Sequence, residues 1–324
     1  MLLQSADQRG RQVLPSPWSW TGRTPSDKGG PTRRRLLDSE RLKAHGIEAK
    51  NTWTRCGYSR EVASDLSAVG FMTRTQQDLM DLAEFAAEHG RSITASLGRY
   101  VVWPSESGEQ LWLQINREGR LVGLNPHFVG PSRIRVGIVE MMRDQSQLME
   151  GCLSCWADPR NDDPESGTYP LVVDLPDFDT STLGMELPRI ATLQVAAFAR
   201  DLRCWPDDAA YELAEFEQGE PRRPPSRVRG FAVESFIPSG MFGMTEGQTG
   251  PTSSRAIAIF TGHVLSANLR TNGYSRKSYW SIHTQTLGGQ YDVVADPEVV
   301  GDPPLTGGVI QGTFWLTARL IGAP

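Results

Sequence analysis

Hydrophobic and polar residues alternate along much of this 324-residue chain, in short runs separated by glycine and proline. Residues 110–116 form the clearest run: three aliphatic side chains fall on one face of a strand, and Trp112 and Gln114 fall on the other. A period of two is typical of half-buried β-strands. Asn125–Pro126 is expected to end the next strand, because proline has no N–H to donate to a ladder. The pattern predicts a mainly β protein.

Two segments have helical spacing instead. Thr75 and Asp78 are spaced as a capping box, and the apolar residues that follow recur every three or four positions until Gly90: Leu79, Leu82, Ala83 and Ala86. Asp207 is placed to cap a shorter helix that ends near residue 216. Residues 190–199 fit both periods, and their β-branched content favours a strand.

Residues 132–203 and 254–320 present similar features in the same order. Each begins with Ser-Arg and an alternating strand, contains a tryptophan (Trp156 or Trp280) and ends on a strand with Ala-Arg. The matched positions are offset by 122 residues at the start (254 − 132), by 124 at the tryptophans (280 − 156) and by 119 at Ala199 and Ala318 (318 − 199). A diverged duplication of a small domain would give this pattern. Two unrelated β-meanders are the alternative.

These patterns predict a mainly β fold with a minor α component. The expected architecture is two tandem β-barrel or β-sandwich-like modules, duplicated in one interpretation, with one N-terminal helix and a disordered N-terminal arm. The expected divisions are a basic arm (1–55), the helix with the first β-rich module (71–216), a polar, proline-rich linker (217–229) and the second β-rich module (230–324). An OB-like barrel is one form that such a module can take.

Charge is distributed unevenly along the chain. It carries 33 basic and 38 acidic residues. Residues 1–60 contain 12 of the basic and 5 of the acidic residues, so the rest of the chain has 21 basic (33 − 12) and 33 acidic (38 − 5) residues. A basic arm attracts phosphate backbones, and an acidic body repels them. Arg33, Arg34 and Arg35 are therefore candidates for nucleic-acid contact, with a solvated extension as the alternative.

Several absences indicate the expected location. No segment of the sequence approaches the roughly 18 consecutive apolar residues that span a bilayer, so we expect no membrane partner. Residues 1–7 lack an apolar core of signal-peptide length. Four cysteines in a chain of this size do not make a disulfide scaffold. Together these features predict a cytoplasmic protein.

Motifs that carry chemistry are few. Cys152 and Cys155 have the spacing of a metal-binding knuckle, but residues three apart on a strand face opposite sides, so they are only weak metal candidates. The sequence contains no nucleophile elbow, phosphate-binding loop, HExxH motif or dinucleotide fingerprint. We therefore expect no cofactor, and the sequence favours a protein that is not an enzyme.

Acidic and histidine residues offer two further candidates. Asp174 opens an acidic run after a predicted strand; paired carboxylates there could do acid–base chemistry only if burial separates their pKa values. His263 and His283 flank Asn272–Gly273. A two-residue turn at that point would place the two rings on opposite faces of the hairpin, whereas a longer loop could bring them to the same face.

Aromatic residues on strands are the best candidates for a binding face. Trp112 and Gln114 share the more polar face of one strand, while Tyr279 and Trp280 are adjacent, so one of that pair must point away from the core; His283 lies on the same strand. The leading hypothesis is a non-enzymatic binding or assembly protein whose partner is another protein or a second copy of itself. The alternatives are a single-stranded nucleic-acid-binding protein with OB-like barrels and a metal-dependent hydrolase.

Overall fold

The computed structural model describes residues 42–47, 65–145, 147–218, 232–238 and 256–322. Most of the predicted basic arm, including Arg33, Arg34 and Arg35, lies outside the described residues, as does most of the predicted linker. The structure is 51% strand and 16% helix, which confirms the predicted mainly β class.

The N-terminal part is one helix packed on a four-stranded antiparallel sheet. Helix α1 (Gln76–His89) begins with the predicted capping box: Asp78 N donates to Thr75 Oγ1 (3.2 Å), and Thr75 N donates to the Asp78 carboxylate (2.8 Å). The predicted apolar stripe of the helix is buried. The strands follow in chain order: β1 (Arg91–Ala95), β2 (Gly98–Pro104), β3 (Glu109–Asn116) and β4 (Leu121–Phe128).

Strand β4 continues through Asn125–Pro126, so the predicted stop at this point is wrong. Pro126 lies opposite Leu111 in the ladder. Because β4 is the edge strand of this sheet, the missing N–H of proline leaves no neighbouring carbonyl unpaired. The turn before β4 is as expected, with Gly119 at a φ of +75°, a backbone conformation that favours glycine.

The remaining strands form a second, nine-stranded sheet. Its members are β5 (Ile134–Arg143), β6 (Gly151–Ala157), β7 (Pro170–Asp174), β8 (Arg189–Trp205), β9 (Ser235–Pro238), β10 (Ile257–Thr271), β11 (Ser278–Thr286), β12 (Gly289–Ala295) and β13 (Val309–Ile321). Helix α2 (Phe178–Ser181) precedes β8, helix α3 (Asp208–Gln218) follows it, and a 3₁₀ turn (Pro297–Val299) precedes β13. The strand favoured for residues 190–199 and the cap at Asp207, which accepts from Ala210 N (2.8 Å), are confirmed.

This sheet closes into two five-stranded rings that share two strands. One ring runs β5–β6–β7–β13–β8 and back to β5; the other runs β10–β11–β12–β8–β13 and back to β10. Neighbours are antiparallel, except for the parallel pairs β7–β13 and β12–β8. The long strands β8 and β13 therefore belong to both rings.

The two rings repeat each other about a pseudo-twofold centre between β8 and β13. Ala197 pairs with Leu316, an offset of 119 (316 − 197). The same offset carries the pair Phe198–Trp315 onto the pair Thr317–Ala196, which is also present. Strands β5 to β8 thus correspond to β10 to β13, as a structural repeat requires.

A matching irregularity supports this correspondence, and it corrects one detail of the sequence alignment. The ladder skips one residue at Val139 in β5 and one at Leu265 in β10, an offset of 126 (265 − 139). Trp156 lies opposite Gly137, and the equivalent position opposite His263 is Gln285. The two tryptophans matched in the sequence are therefore not structural equivalents.

One hydrophobic core fills both rings. Inward residues of β8 (Val195 and Ala197) and of β13 (Phe314 and Leu316) belong to the same buried cluster as residues from the other strands of each ring. Because β8 precedes residues 217–229 and β13 follows them, the two predicted β-rich modules share walls and do not form independent barrels side by side.

The four-stranded sheet is held against the rings by a buried carboxylate. Asp179, on α2, accepts hydrogen bonds from Ser96 Oγ (2.7 Å), from Leu97 N (3.0 Å) and from the Arg143 guanidinium (3.1 Å). Burial alone would raise the pKa of Asp179, but these hydrogen bonds outweigh it and lower that pKa below its ordinary value. The β1–β2 turn is thereby fixed to the first ring.

Candidate functional site

A cluster of polar side chains lies where β3 and β4 face the first ring. Gln114 on β3 pairs with Gly123 on β4. A Cβ atom at Gly123 would lie 2.2 Å from Gln114 Oε1 and 2.8 Å from Glu150 Oε1. Both oxygens therefore pack closely against Gly123, and any side chain at this position would clash with them.

Gln114 has no solvent exposure, and neither atom of its carboxamide has a hydrogen-bond partner among the described residues. An unsatisfied buried polar group costs about 1–3 kcal/mol. Native structures contain few of them, and each one requires an explanation. A ligand that supplies a donor and an acceptor would satisfy this carboxamide.

Two carboxyl groups belong to the same cluster. Glu150 Oε1 accepts from Asn125 Nδ2 (3.1 Å), and Asp174 Oδ2 accepts from Trp315 Nε1 (2.6 Å). Burial raises the pKa of Glu150 to about 7, and the nearby charges of Asp174 and Asp144 act in the same direction. Burial also raises the pKa of Asp174 to about 6, against the hydrogen bond from Trp315. We call Gln114, Asn125, Glu150, Asp174 and Trp315 the carboxyl recess.

Neither carboxyl of the recess is paired with a basic side chain among the described residues. Two arginines on the strands of the first ring have other partners: Arg143 pairs with Asp179 (3.1 Å), and Arg319 pairs with Asp177 (3.2 Å). Arg319 also lies over the ring of Trp112, 4.9 Å from its centre. The charge of Asp174 therefore acts on the half-buried Glu150 carboxyl, and neither group has a basic partner among the described residues.

The structure places Trp112 and Gln114 inside the protein, not on an open face. Both are fully buried. Trp112 Nε1 donates to Gln110 Oε1 (3.0 Å), and its ring packs edge-on against Tyr100 at 6.1 Å. Of the two, only Gln114 has polar atoms left to offer a ligand.

Tyr279 and Trp280 point to opposite sides of β11, as expected, but neither forms an exposed surface. Tyr279 is fully buried against the four-stranded sheet, where its hydroxyl donates to Glu109 Oε2 (2.8 Å) and its ring lies 6.2 Å from that of Phe128. Burial, together with the charge of Glu109, raises the pKa of Tyr279. Trp280 is half-buried against the core of the rings. The aromatic pair therefore joins modules and does not present a stacking platform.

His283 lies at the outer end of a buried chain of polar groups. His283 Nδ1 is 3.3 Å from Asp292 Oδ1, Gln194 Nε2 donates to Asp292 Oδ2 (2.8 Å), and His127 Nε2 is 3.0 Å from Gln194 Oε1. The other ring nitrogen of His127 meets the Thr317 hydroxyl. Burial lowers the pKa of His127 to about 3, and the charge of Arg319 acts in the same direction. This polar chain links the four-stranded sheet to the second ring.

Cys152 and Cys155, the weak metal candidates, lie on one strand of the first ring. Cys155 is buried in the core of the rings, where burial raises its pKa, and Cys152 is half-buried on the same strand. Within the described ranges, no group of three or more His, Cys, Asp or Glu side chains is placed to hold a metal ion. The metal-dependent hydrolase thus rests on the sequence alone.

The loop at Asn272 is longer than a two-residue turn, since Thr271 pairs with Ser278. With the skip at Leu265, this register brings His263 and His283 to the same face of the hairpin, which is the arrangement that a longer loop allows. Their partners differ, however: His263 lies 3.0 Å from both Glu234 Oε1 and Asp208 Oδ1.

Comparisons with protein-family models, with curated proteins and with solved structures find no match to this chain. In the part of the chain that the structure describes, no helix has the length and apolar character needed to cross a membrane. The recess therefore has to be interpreted from its own chemistry.

Sequence reasoning found part of this recess. Gln114 and Asp174 were candidates for binding and acid–base chemistry, respectively, but Glu150, Asn125 and Trp315 carried no signal that joined them to these two. The five residues come from β3, β4, the loop before β6, β7 and β13. Only the register of β4 and the closure of the first ring bring them together.

Proposed function

We propose that the protein is a binding protein and that the carboxyl recess holds part of its ligand. The observation that carries this proposal is the buried Gln114 carboxamide, which has no hydrogen-bond partner in the part of the chain that the structure describes and lies beside the carboxyl of Glu150. The proposal agrees with the hypothesis of a non-enzymatic binding protein, but it assigns the binding site to the carboxyl recess and not to exposed aromatic residues.

The chemistry of the recess supports a small polar ligand. Ligand sites are typically concave and place a few polar groups among apolar walls. Here the Gln114 amide and the Glu150 carboxyl lie against Gly123, and the Trp315 indole bonds the second carboxyl, that of Asp174. Rigid strands hold every one of these side chains except Glu150, so the site is largely pre-formed.

A thermal-shift screen tests the proposal. Wild-type protein is heated with each member of a panel of free amino acids, amines, sugars and nucleosides, and each hit is repeated on Gln114→Leu. Removing the unsatisfied amide leaves the free protein equally or more stable. We expect at least one hit that stabilises the wild type and fails on the variant.

The matched control is Gln76→Leu, the same change on α1, far in sequence from the recess. It should retain every hit. Two results would contradict the assignment of the recess as a binding site. One is that compounds which stabilise the wild type also stabilise Gln114→Leu, and the other is that no compound of the panel stabilises either protein.

Nucleic-acid binding is the second candidate, supported by the order of strands in the rings. Each ring has five strands, and a helical turn follows the third strand of each repeat (α2 after β7, the 3₁₀ turn after β12), an arrangement similar to the OB-like barrels that bind oligonucleotides. The acidic balance of residues 61–324 opposes this reading. Filter binding of a single-stranded oligonucleotide at about 50 and about 200 mM salt decides it, because phosphate contacts give a steep loss of affinity with salt.

A further inference from the structure

We infer that the ligand of the carboxyl recess carries an amino or guanidinium cation, because the unbonded Gln114 carboxamide lies there beside carboxyls that have no basic partner among the described residues. The inference rests on the proposed function, and it names the chemical class of the ligand and a dependence on pH.

Among the described residues, the charges that act on Glu150 and Asp174 are carboxylates. The Arg143 guanidinium bonds Leu148 O in the loop that carries Glu150, but it is paired with Asp179 (3.1 Å). The loop before β6 supplies Asp144 and Glu150, and β7 supplies Asp174. The four-stranded sheet contributes only the neutral amides of Gln114 and Asn125, as described above. A cation that enters the recess would therefore be attracted by the carboxylates of the loop before β6 and of β7.

The β13 wall adds no competing positive charge at the recess. Trp315 contributes a neutral N–H, and Arg319 is held by Asp177 and by the ring of Trp112. A ligand cation would be the first positive group to reach Glu150 and Asp174.

The geometry also places two acceptors side by side. Gln114 Oε1 and Glu150 Oε1 both lie against Gly123, 2.2 and 2.8 Å from the position that a Cβ would take there, so the two oxygens are neighbours. A guanidinium or ammonium group presents several N–H donors, which can bond a carbonyl oxygen and a carboxylate together. A neutral hydroxyl ligand would leave the repulsion between the carboxyls in place.

Proton release follows from the pKa values of the empty recess. Burial holds the pKa of Glu150 at about 7 and that of Asp174 at about 6, so both groups carry protons part of the time near neutral pH. A bound cation favours their ionised forms and lowers both pKa values. By linkage, affinity for the cation rises as pH rises through this range.

Two probes of the same shape, one charged and one neutral, test whether binding depends on the charge of the ligand. Methylguanidinium is cationic and N-methylurea is its neutral counterpart. Binding is followed by titration of each into the full-length protein, with the indole N–H resonance of Trp315 as the readout because this group bonds Asp174. We expect methylguanidinium to shift this resonance, with an affinity about tenfold weaker at about pH 5.5 than at about pH 8, and methylurea to leave it unchanged.

Two variants complete the experiment. Glu150→Gln keeps the shape of the side chain. It should weaken the binding of methylguanidinium about tenfold and make the affinity less dependent on pH. Glu298→Gln, on the exposed 3₁₀ turn, is the matched control and should behave as wild type.

The outcomes distinguish a failure of the cation inference from a failure of the proposed binding function. If methylurea binds at least as well as methylguanidinium and Gln114→Leu abolishes its binding, the cation inference is overturned while the proposed function stands. If neither probe shifts Trp315 at any pH, the cation inference fails, and the screen with Gln114→Leu then decides the proposed function separately.

Discussion

His127 on β4 and Gln194 on β8, 67 positions apart, are joined by a hydrogen bond of 3.0 Å. The Gln194 amide nitrogen already donates to Asp292 and to Phe128 O, so its oxygen must accept, and His127 therefore carries its proton on Nε2. The unprotonated Nδ1 then accepts from Thr317. The buried polar chain has a single consistent direction, as a neutral imidazole requires.

Replacing Gln194 by leucine should destabilise the protein. The change leaves His127 Nε2–H and an oxygen of Asp292 buried without this partner, which costs about 1–3 kcal/mol of unfolding free energy. Urea unfolding followed by circular dichroism measures the difference. The Gln76→Leu control should change the free energy by less than about 0.5 kcal/mol. An equally stable Gln194→Leu protein would show that the chain is not a structural link.

Low pH should reduce the free energy of unfolding through His127. Its pKa falls from an ordinary 6.5 to about 3 on folding, because burial disfavours the charged ring. Between these values the unfolded chain binds the additional proton, so the contribution of His127 to stability is present above 6.5 and is lost as pH falls towards 3. Unfolding free energies of wild type and His127→Gln, measured between about pH 4 and about pH 7, should converge as pH falls. A constant difference would count against a neutral buried ring.

His263 should act in the opposite direction. Burial alone would lower its pKa, but hydrogen bonds to Glu234 and Asp208 outweigh this and raise the pKa above 6.5. Its contribution is therefore present below pH 6.5 and is lost as pH rises through the raised value. Relative to His263→Gln, the wild type should lose stability on going from about pH 6 to about pH 8. The nitrogen-bound protons of His263, observed by NMR, report the titration directly.

Leu316→Ala should destabilise both rings at once. Leu316 is buried beside the pseudo-twofold centre on β13, a strand that both rings use. Truncating a buried leucine costs about 2–5 kcal/mol. Hydrogen exchange should therefore accelerate by similar factors in β6 and in β11, one strand from each ring. Leu305→Ala, at a residue 54% exposed, is the control and should have little effect. Faster exchange in one ring only would contradict a shared cooperative unit.

Thr75→Ala should cost about 1 kcal/mol, since it removes the side-chain acceptor for Asp78 N at the start of α1. Thr75→Ser keeps that acceptor and should be nearly neutral. Thermal unfolding of the three proteins checks the ranking, and an alanine variant as stable as the serine variant would show that the capping bond contributes nothing.

Local patterns identified the elements of this fold but not the site. The capping box of α1 and the alternation in β3 concern neighbours in sequence, so they could be predicted. Pro126 was misassigned because its tolerance depends on β4 being an edge strand. Trp112 and Tyr279 were placed on an open surface because alternation shows which residues share a face, whereas the packing of one module on another decides whether that face is covered.

The sequence by itself determined the strands, the first helix and the repeated order of the two halves, because side-chain periodicity and capping act over a few residues. Tertiary structure alone decided that the halves share β8 and β13, and that Gln114, Glu150 and Asp174 meet in one recess. The reason is that ring closure and strand register join residues about a hundred positions apart, as Asp292 and Ala196 are joined in the parallel pair β12–β8. Such pairings depend on the fit of whole faces, which no local pattern records.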